Sequence, residues 1–342
     1  MFLTEANVLH YLAERNFASM EAVVDGQFSV RNLSYRNYNF GVSCGRREYL
    51  VKQPKKWTGS GRGSIDSEAS FYWHVRTDPR FLPLRPLVPE SYGYDPLDSV
   101  LILKFLPNQT ALHHATDRFS PETARLAATA MAALHGEMRS AKISQLFPAA
   151  VPWIFSIHEA DPDKLEDATE GQRELVRLVR NYRAFGRAFE SLASEWHARA
   201  LIHGDWKLSN CLISAARDRL SMVDWEFACW GDPLWDAGTM LQSYWSFWVR
   251  FPEEHPIDEI RPALWAFLET YAHETGAAVA DILAPAIRWA GARMVQTAYE
   301  TLIRADEITA DAVRLAQASL NILTHPERAA GHLLGGDVCA AS

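Results

Sequence analysis

A short polar segment and a later acidic residue have the residue types and spacing that phosphoryl transfer requires. In His203-Gly-Asp-Trp-Lys-Leu-Ser-Asn210 an asparagine lies five residues after Asp205, and Asp224 follows fourteen residues later in MVDWE. Phosphoryl transfer needs a group that orients the attacking hydroxyl and oxygen ligands that hold a metal ion on the triphosphate. The two aspartates and the asparagine meet both demands if the short apolar strands around them, ALIHGD and LSMVDWE, are adjacent.

The segments before this loop predict a sheet with a helix beside it. Polar and apolar residues alternate in three segments that are separated by polar turns, FSVRNLSY, NFGVSC and YLVKQP, which is typical of three antiparallel strands. The segment SVLILKFL predicts a hairpin that closes the sheet. IDSEASFYWHVRTD has helical periodicity, and the glycine- and serine-rich KKWTGSGRGS before it indicates a flexible loop. Residues 2–15 predict a leading helix. After Pro107 the pattern is helical almost to the end, apart from the two strands within 200–232.

The spacing HGDxxxxN, continued by DxE and then by Gly231-Asp-Pro-Leu-Trp-Asp236, resembles the aminoglycoside phosphotransferase and choline kinase family. That family is similar in fold to protein kinases, and the resemblance covers roughly residues 25–300. It implies an α+β, protein-kinase-like fold of two lobes, with the nucleotide in the cleft between them. A small antiparallel-sheet lobe with one main helix would occupy 1–107, and a large, mainly helical lobe 108–342. The expected activity is transfer of the ATP γ-phosphate to a hydroxyl.

The same resemblance assigns roles at the catalytic loop. Asp205 would orient or deprotonate the acceptor hydroxyl. Lys207 departs from the pattern of many small-molecule kinases, which carry a histidine there, and would neutralise charge on the transferring phosphoryl group. Asn210 and Asp224 would hold Mg²⁺. Asp236 would brace the loop; the other interpretation, a helix-capping aspartate, is compatible with that role.

A lysine and a glutamate upstream complete the expected charged set. Lys52, at the end of YLVKQP, would bridge the α- and β-phosphates of ATP, and Glu68 in the following helix would hold it in place. The glycine-rich run at 59–63 follows the lysine strand, whereas the phosphate loop of a kinase precedes it. We therefore interpret that run as a connection and not as a phosphate loop.

Other nucleotide contacts are expected at a turn and at the segment that joins the lobes. The turn that contains Ser34, Arg36 and Asn37 stands where the family binds phosphates, although it lacks GxGxxG. The adenine base would lie against the backbone around Lys104 and Leu106. Because the backbone would contact the base, the sequence does not reveal whether the protein uses ATP or GTP.

The acceptor is left open among several classes. Acidic groups at 159–170 and 253–259 would attract a cationic amino sugar, but such runs are more often solvated surface. The aromatic-rich stretch at 225–248 would form core, an acceptor pocket or both. Because protein kinases also carry a lysine at the position of Lys207, a peptide Ser or Thr in natural-product maturation is a second acceptor class. A nucleotide-binding pseudokinase is the non-catalytic alternative.

Composition narrows the class of protein. The chain has 342 residues, 48% of them hydrophobic, and a formal net charge of -8, which together predict two folded domains and argue against a nucleic-acid partner. Cys44, Cys211, Cys229 and Cys339 have no CxxC spacing, so neither a zinc site nor a disulfide framework is predicted. Without a signal peptide or a membrane-spanning run, we expect a cytoplasmic enzyme. The oligomeric state is not predicted.

Overall fold

The structure is a computed structural model that describes residues 1–35, 37–55 and 60–335, and only the backbone of 60–63. The chain forms two compact units. The first consists of Met1–Thr110 together with Leu212–Ala228, and the second of Ala111–Cys211 together with the chain from Cys229 onward. The first unit is therefore discontinuous in sequence.

Strands and helices have the following bounds in the described residues. The strands are β1 (Phe28–Asn32), β2 (Asn37–Cys44), β3 (Arg47–Pro54), β4 (Ser91–Asp95), β5 (Val100–Lys104), β6 (Gln109–Ala111), β7 (Ala200–Ile202), β8 (Cys211–Ser214), β9 (Leu220–Met222) and β10 (Cys229–Gly231). The helices are α1 (Val8–Glu14), α2 (Met20–Val24), α3 (Ser60–Thr77), α4 (Pro121–Glu137), α5 (Ala141–Ser144), α6 (Glu170–Asn181), α7 (Arg183–Ser194), α8 (Pro233–Arg250), α9 (Ile257–Thr275), α10 (Val279–Thr301), α11 (Ala310–Thr324) and α12 (Pro326–Leu334). Short 3₁₀ turns occupy Pro79–Leu87, Leu112–His114, Trp153–Ser156, Pro162–Lys164, Leu208–Asn210 and Trp225–Phe227.

A five-stranded antiparallel sheet is the frame of the first unit. Its strand order is β1-β2-β3-β5-β4, so the three predicted strands lie in one sheet. The segment SVLILKFL, predicted as a hairpin, contributes the single strand β5, and its antiparallel partner is the preceding strand β4. Successive side chains of a strand point to opposite faces. Val51 therefore lies in the core formed with Val8, Tyr11 and Leu12 around α1, while the next residue, Lys52, lies on the other face.

Two predicted boundaries were wrong. The leading helix begins at Val8, since the residues before it form a turn in which the Thr4 amide donates to the Asn7 side chain. The helix α3 begins at Ser60, so the second half of the predicted flexible loop is helical in its backbone. Helical hydrogen bonding outweighs the low helix propensity of glycine in this stretch.

The two apolar strands around the catalytic loop are not adjacent. The strand β7 pairs with β10, and β9 lies next to β8 in a three-stranded sheet of order β6-β8-β9. ALIHGD and LSMVDWE therefore belong to different sheets, and the condition of adjacency stated for them is not met. Asn210 immediately precedes β8, and Asp224 follows β9 by two residues.

The second unit is a helical bundle. Its principal contacts join α4 to α9, and α10 to both α8 and α11, and their facing residues form a continuous apolar core. Within the described part of the chain, no helix is both long enough and apolar enough to cross a membrane.

Gly238 allows α8 and α10 to approach closely. A Cβ added there would lie 2.6 Å from the Trp289 Cβ and 2.7 Å from the Ala286 carbonyl oxygen. We expect Gly238→Ala to lower the free energy of unfolding, measured in urea, by about 1–3 kcal/mol because overpacking outweighs the gain in helix propensity. Gly136→Ala in α4 is the matched control, since its Cβ would meet only an arginine tip at 3.7 Å. A Gly238→Ala protein as stable as the Gly136→Ala protein would contradict this packing.

Candidate active site

A buried lysine joins two carboxylates in the first unit. Lys52 on β3 is 5% exposed, and Glu68 on α3 is fully buried. The Lys52 ammonium donates to Glu68 Oε2 at 2.5 Å and to Asp224 Oδ1 at 2.8 Å. The helix α3 packs on β3 and thereby fixes Glu68 against the lysine. The structure thus brings Lys52 and Glu68 together and adds Asp224 to the pair.

The charges of this cluster are unbalanced in favour of the acids. Burial alone would lower the pKa of Lys52, but the carboxylates of Asp224 and Glu68 outweigh burial and raise that pKa, so the ammonium stays charged. Burial also raises the pKa of Glu226 to about 7, and the adjacent Asp224 charge adds to the rise. One ammonium thus faces three acidic side chains. Such a surplus of carboxylate favours binding of a cation.

Asp224 has a backbone conformation that is uncommon for a residue with a side chain. Its φ of 71° and ψ of 56° lie in the left-handed region, which aspartate tolerates at an energetic cost of order 1 kcal/mol. The next residue, Trp225, stacks on Phe71 of α3 with ring centroids 3.9 Å apart and donates from its indole to the Met222 carbonyl at 3.1 Å. The packed indole holds the strained aspartate in place. Strain of this kind is concentrated at functional sites.

The catalytic loop after β7 is held from α8 in the second unit. Asp236 accepts a hydrogen bond from the His203 amide at 2.8 Å and another from the Gly204 amide at 2.9 Å. Gly204 has a φ of 80°, where a residue without a Cβ is favoured. The N-cap of α8 is Asp232, which accepts from the Leu234 amide. Capping is therefore done by Asp232, and the bracing contact expected of Asp236 is present.

Both carboxylate oxygens of Asp205 are occupied by donors. Oδ1 accepts from Arg293 Nη2 at 2.5 Å, and Oδ2 accepts from Lys207 Nζ at 2.7 Å and from Asn210 Nδ2 at 3.1 Å. The Asn210 amide also donates to the Asp205 carbonyl at 2.9 Å. Asp205 is 3% exposed. The carboxylate is consequently fixed in orientation, as a group that positions a hydroxyl must be.

Arg293 is a partner of Asp205 that the sequence analysis missed. It projects from α10, is completely buried, and donates to Glu300 Oε1 at 3.0 Å as well as to Asp205. Burial alone would lower the pKa of Arg293, but Glu300 and Asp205 outweigh it and raise that pKa. The one available signal was an arginine within the otherwise apolar stretch AGARMV. A charged residue on a helix face that must be buried needs a partner.

Lys207 belongs to the same ion-pair network. Its ammonium lies 3.9 Å from Glu300 Oε2 in addition to its contact with Asp205. Burial alone would lower the pKa of Lys207, but Asp205 and Glu300 outweigh it and raise that pKa. The lysine is therefore cationic next to Asp205, which is compatible with the predicted action on a phosphoryl group.

The turn predicted to bind phosphate is described in part. Ser34 accepts the Asn39 amide on its hydroxyl at 3.0 Å, so the hydroxyl closes the turn. Asn37 is the first residue of β2 and pairs with Pro54. Arg36 lies outside the described residues. The roles of all three remain predictions.

The two residues expected near adenine lie at and just beyond the end of β5. The side chains of Lys104 and Leu106 line a cavity of about 530 Å³ in the first unit, and Lys52 is not among its lining residues. The Lys104 amide donates to the Glu90 carbonyl at 2.7 Å. The structure does not bring these two side chains together with the lysine cluster. A contact of their backbone with a base remains a prediction.

The proposed metal ligands have suitable chemistry. Among the described residues, no group of three or more His, Cys, Asp and Glu side chains has metal-binding geometry. Mg²⁺ is usually bound through one or two protein oxygens, with phosphate and water as further ligands. Asn210 turns its amide nitrogen to Asp205, and its amide oxygen accepts a long hydrogen bond of 3.5 Å from the Ser209 hydroxyl. An amide oxygen and a carboxylate oxygen are each of the ligand type that Mg²⁺ prefers.

Comparison with families of proteins assigns the chain. Residues 29–298 match the model of the phosphotransferase enzyme family, APH. The chain belongs to this family. The matched range includes both Lys52 and the Asp205 loop, and it confirms the predicted family and the predicted class of enzyme. Comparison with curated proteins gives no match.

Solved structures share the fold of this phosphotransferase. The ethanolamine kinase of Plasmodium vivax aligns with a TM-score of 0.63 and 13% identity over 94% of this chain and 88% of that chain. A choline kinase of Streptococcus pneumoniae aligns with a TM-score of 0.57 and 15% identity over 89% and 99%. The GDP complex of aminoglycoside 2'-phosphotransferase-IIIa aligns with a TM-score of 0.57 and 15% identity over 90% and 98%. These matches confirm the predicted kinase-like fold.

Proposed function

We propose that this phosphotransferase transfers the γ-phosphate of Mg-ATP to a hydroxyl of a small molecule, namely an amino sugar, an amino alcohol or a related natural product. The observation that carries the proposal is the Lys52 ammonium held by Glu68 and Asp224. In kinases, a lysine held by a helix glutamate binds the nucleotide phosphates, and an aspartate on the following segment binds the metal. Lys52, Glu68 and Asp224 supply the same three groups in this protein.

Asp205 is the proposed catalytic residue. The carboxylate is fixed by Arg293, Lys207 and Asn210, so it offers a stationary acceptor for the proton of the attacking hydroxyl. Lys207 sits beside it as a cation and would stabilise negative charge on the phosphoryl group in transit. Catalysis by these groups is mainly positioning and electrostatics.

The remaining contacts are assigned to nucleotide and metal. Asn210 and Asp224 are the proposed ligands of Mg²⁺, which when bound neutralises charge on the phosphate oxygens. The contacts proposed for the phosphates and the adenine are Ser34, Arg36, Asn37 and the backbone around Lys104 and Leu106. A boundary between domains near Pro107 and a cytoplasmic location belong to the same proposal.

A second cavity supports an amine-bearing acceptor. It has a volume of about 260 Å³ and is lined by Trp153, Glu159 and Glu190 in the second unit. An aromatic face beside two carboxylates suits a protonated or quaternary amine. Trp153 meets the Tyr299 ring edge-on, and the next residue, Glu300, belongs to the network around Asp205. The kinases named above act on ethanolamine, choline and aminoglycosides, which all carry cationic nitrogen.

The test is an acceptor screen with matched pairs. Transfer of labelled γ-phosphate from Mg-ATP and from Mg-GTP is measured with two matched pairs of acceptors, ethanolamine against ethylene glycol and an aminoglycoside against a neutral sugar. Choline is tested as a further acceptor, and the Asp205→Asn protein is the blank. We expect the wild-type protein to phosphorylate an amine-bearing acceptor and not its neutral partner. Magnesium-dependent ATP binding without turnover of any acceptor would instead identify a pseudokinase, and phosphorylated Ser or Thr in candidate peptides would identify a peptide kinase.

A further inference from the structure

A cavity in the first unit is ringed by positive charge. The cavity near β5, with a volume of about 530 Å³, is lined by Arg76, Arg85, Lys104 and Arg219, against one acidic residue, Glu90. The chain as a whole has a formal net charge of -8. The four cations make the surroundings of this cavity positive, although the protein as a whole is negative. A local positive field attracts anions.

Two of the arginines are held by backbone carbonyl groups. Arg85 donates from Nε to the Val75 carbonyl at 2.9 Å and from Nη2 to the Arg76 carbonyl at 2.8 Å, at the end of α3. Arg76 donates from Nη1 to the Tyr92 carbonyl at 3.0 Å. These bonds satisfy carbonyl groups at the ends of α3 and β4. Among residues 1–35, 37–55 and 60–335, no carboxylate pairs with either arginine. The guanidinium groups are thus oriented in advance for an anionic ligand.

The other two cations have no protein partner. Within the described ranges, neither the Lys104 ammonium nor the Arg219 guanidinium forms an ion pair or a side-chain hydrogen bond, and both side chains are exposed. Glu90 likewise pairs with none of the four. Because Glu90 does not neutralise these charges, they are available to a ligand.

One residue that lines the same cavity, Tyr72, carries a buried hydroxyl. Tyr72 is 1% exposed, and its hydroxyl has no hydrogen-bond partner in the described part of the structure. Burial, with added effect from Glu68 and Asp224, raises the pKa of Tyr72 well above its usual value, so the group remains a donor. A buried hydroxyl without a hydrogen-bond partner is energetically unfavourable. An oxygen acceptor from a ligand would remove that penalty.

We propose that this cavity binds an organic phosphate through side chains other than Lys52 and Asp205; the adenine contact proposed above uses the backbone around Lys104 and Leu106 and not their side chains. The phosphate oxygens accept from Arg219, Lys104 and the Tyr72 hydroxyl. The body of the ligand packs on Val75, Val88 and the prolines at 86 and 89, which line the same cavity. Recognition of this kind, an apolar pocket with few convergent polar groups, is typical of metabolite sites.

The test measures binding of AMP and adenosine by calorimetry in EDTA, where metal-dependent binding is suppressed. We expect AMP to bind the wild-type protein at least about tenfold more tightly than adenosine does, because charge-assisted contacts to phosphate are lost with the nucleoside. Arg219→Glu and Tyr72→Phe should each weaken AMP binding about tenfold or more. Tyr72→Phe keeps the ring and removes only the unpartnered hydroxyl, so its fold is not at risk.

Two control variants separate this site from the others. Arg46→Glu, an equal change of charge on an exposed turn of the same unit, and Lys52→Met, which disables the proposed triphosphate contact, should both leave AMP binding unchanged. AMP binding that is lost in Lys52→Met, or kept in both Arg219→Glu and Tyr72→Phe, would overturn the proposal. The same holds if AMP does not bind, or if adenosine binds as tightly. These readouts do not depend on catalytic activity, so they stand or fall independently of the proposed function.

Discussion

Asp224→Asn is expected to reduce kcat/KM for phosphate transfer by about a thousandfold, because it removes both a proposed Mg²⁺ ligand and a charged partner of Lys52. The asparagine preserves the size of the side chain and tolerates the left-handed backbone that Asp224 adopts. The effect of the substitution should therefore be electrostatic and leave the local fold intact. Steady-state kinetics with the best acceptor from the screen measures it.

The metal dependence of nucleotide binding gives this prediction a second readout. Wild-type protein should bind ATP more tightly when Mg²⁺ is added, and the Asp224→Asn protein should lose that response. Asp218→Asn is the matched control, since Asp218 is exposed on the turn between β8 and β9 and bonds only locally to Ser214. If Asp224→Asn kept an undiminished response to Mg²⁺, the assignment of Asp224 as a metal ligand would be wrong.

Contacts that depend on local pattern were predictable from the sequence. The alternation in YLVKQP placed Lys52 on a strand, and the periodicity of the next segment placed Glu68 on a helix, so their pairing required only one strand to pack against one helix. Short-range order in the chain limits where these two side chains can go. The contact of Asp236 with the loop amides was expected from the resemblance to the family, because the residues it joins are far apart in sequence.

Contacts made between distant segments were not predictable in the same way. Arg293 meets Asp205 from α10, and no spacing in the sequence relates the two positions. The pairing of β7 with β10 depends on which of several short strands reach each other, and three-residue strands carry too little pattern to specify a partner. The placement of Leu212–Ala228 with the first unit has the same origin, because it is decided by packing after the chain has left that unit.

Backbone conformation was another feature that the sequence did not predict. The left-handed φ of Asp224 is imposed by the stacking of Trp225 on Phe71, a tertiary contact between a turn and α3. The unpartnered hydroxyl of Tyr72 is likewise a property of the folded environment. Residue letters report which groups are present, whereas strain and lack of a partner appear only when the surroundings are known.

Arg293→Leu is expected to lower the free energy of unfolding by about 3–5 kcal/mol, because it removes the buried cation of the Asp205 and Glu300 carboxylates and leaves Lys207 as their remaining cationic partner. Urea unfolding of the wild-type and variant proteins measures the loss. Arg293→Lys keeps the charge and loses the forked geometry, so it should be less destabilising. In that milder variant kcat should still fall by about tenfold or more, with KM for ATP unchanged, because Asp205 is less firmly oriented.

A double substitution separates the ion pair from simple packing. If Arg293 acts through its charge, then Arg293→Leu combined with Glu300→Leu should be less destabilising than the sum of the two single changes, since removing both partners leaves fewer unpaired charges. If Arg293 only fills space, the two effects should add within about 0.5 kcal/mol. Additive losses, together with an unchanged kcat in Arg293→Lys, would contradict a positioning role for Arg293. Non-additive stability with a reduced kcat is the result expected of an arginine that both neutralises and orients Asp205.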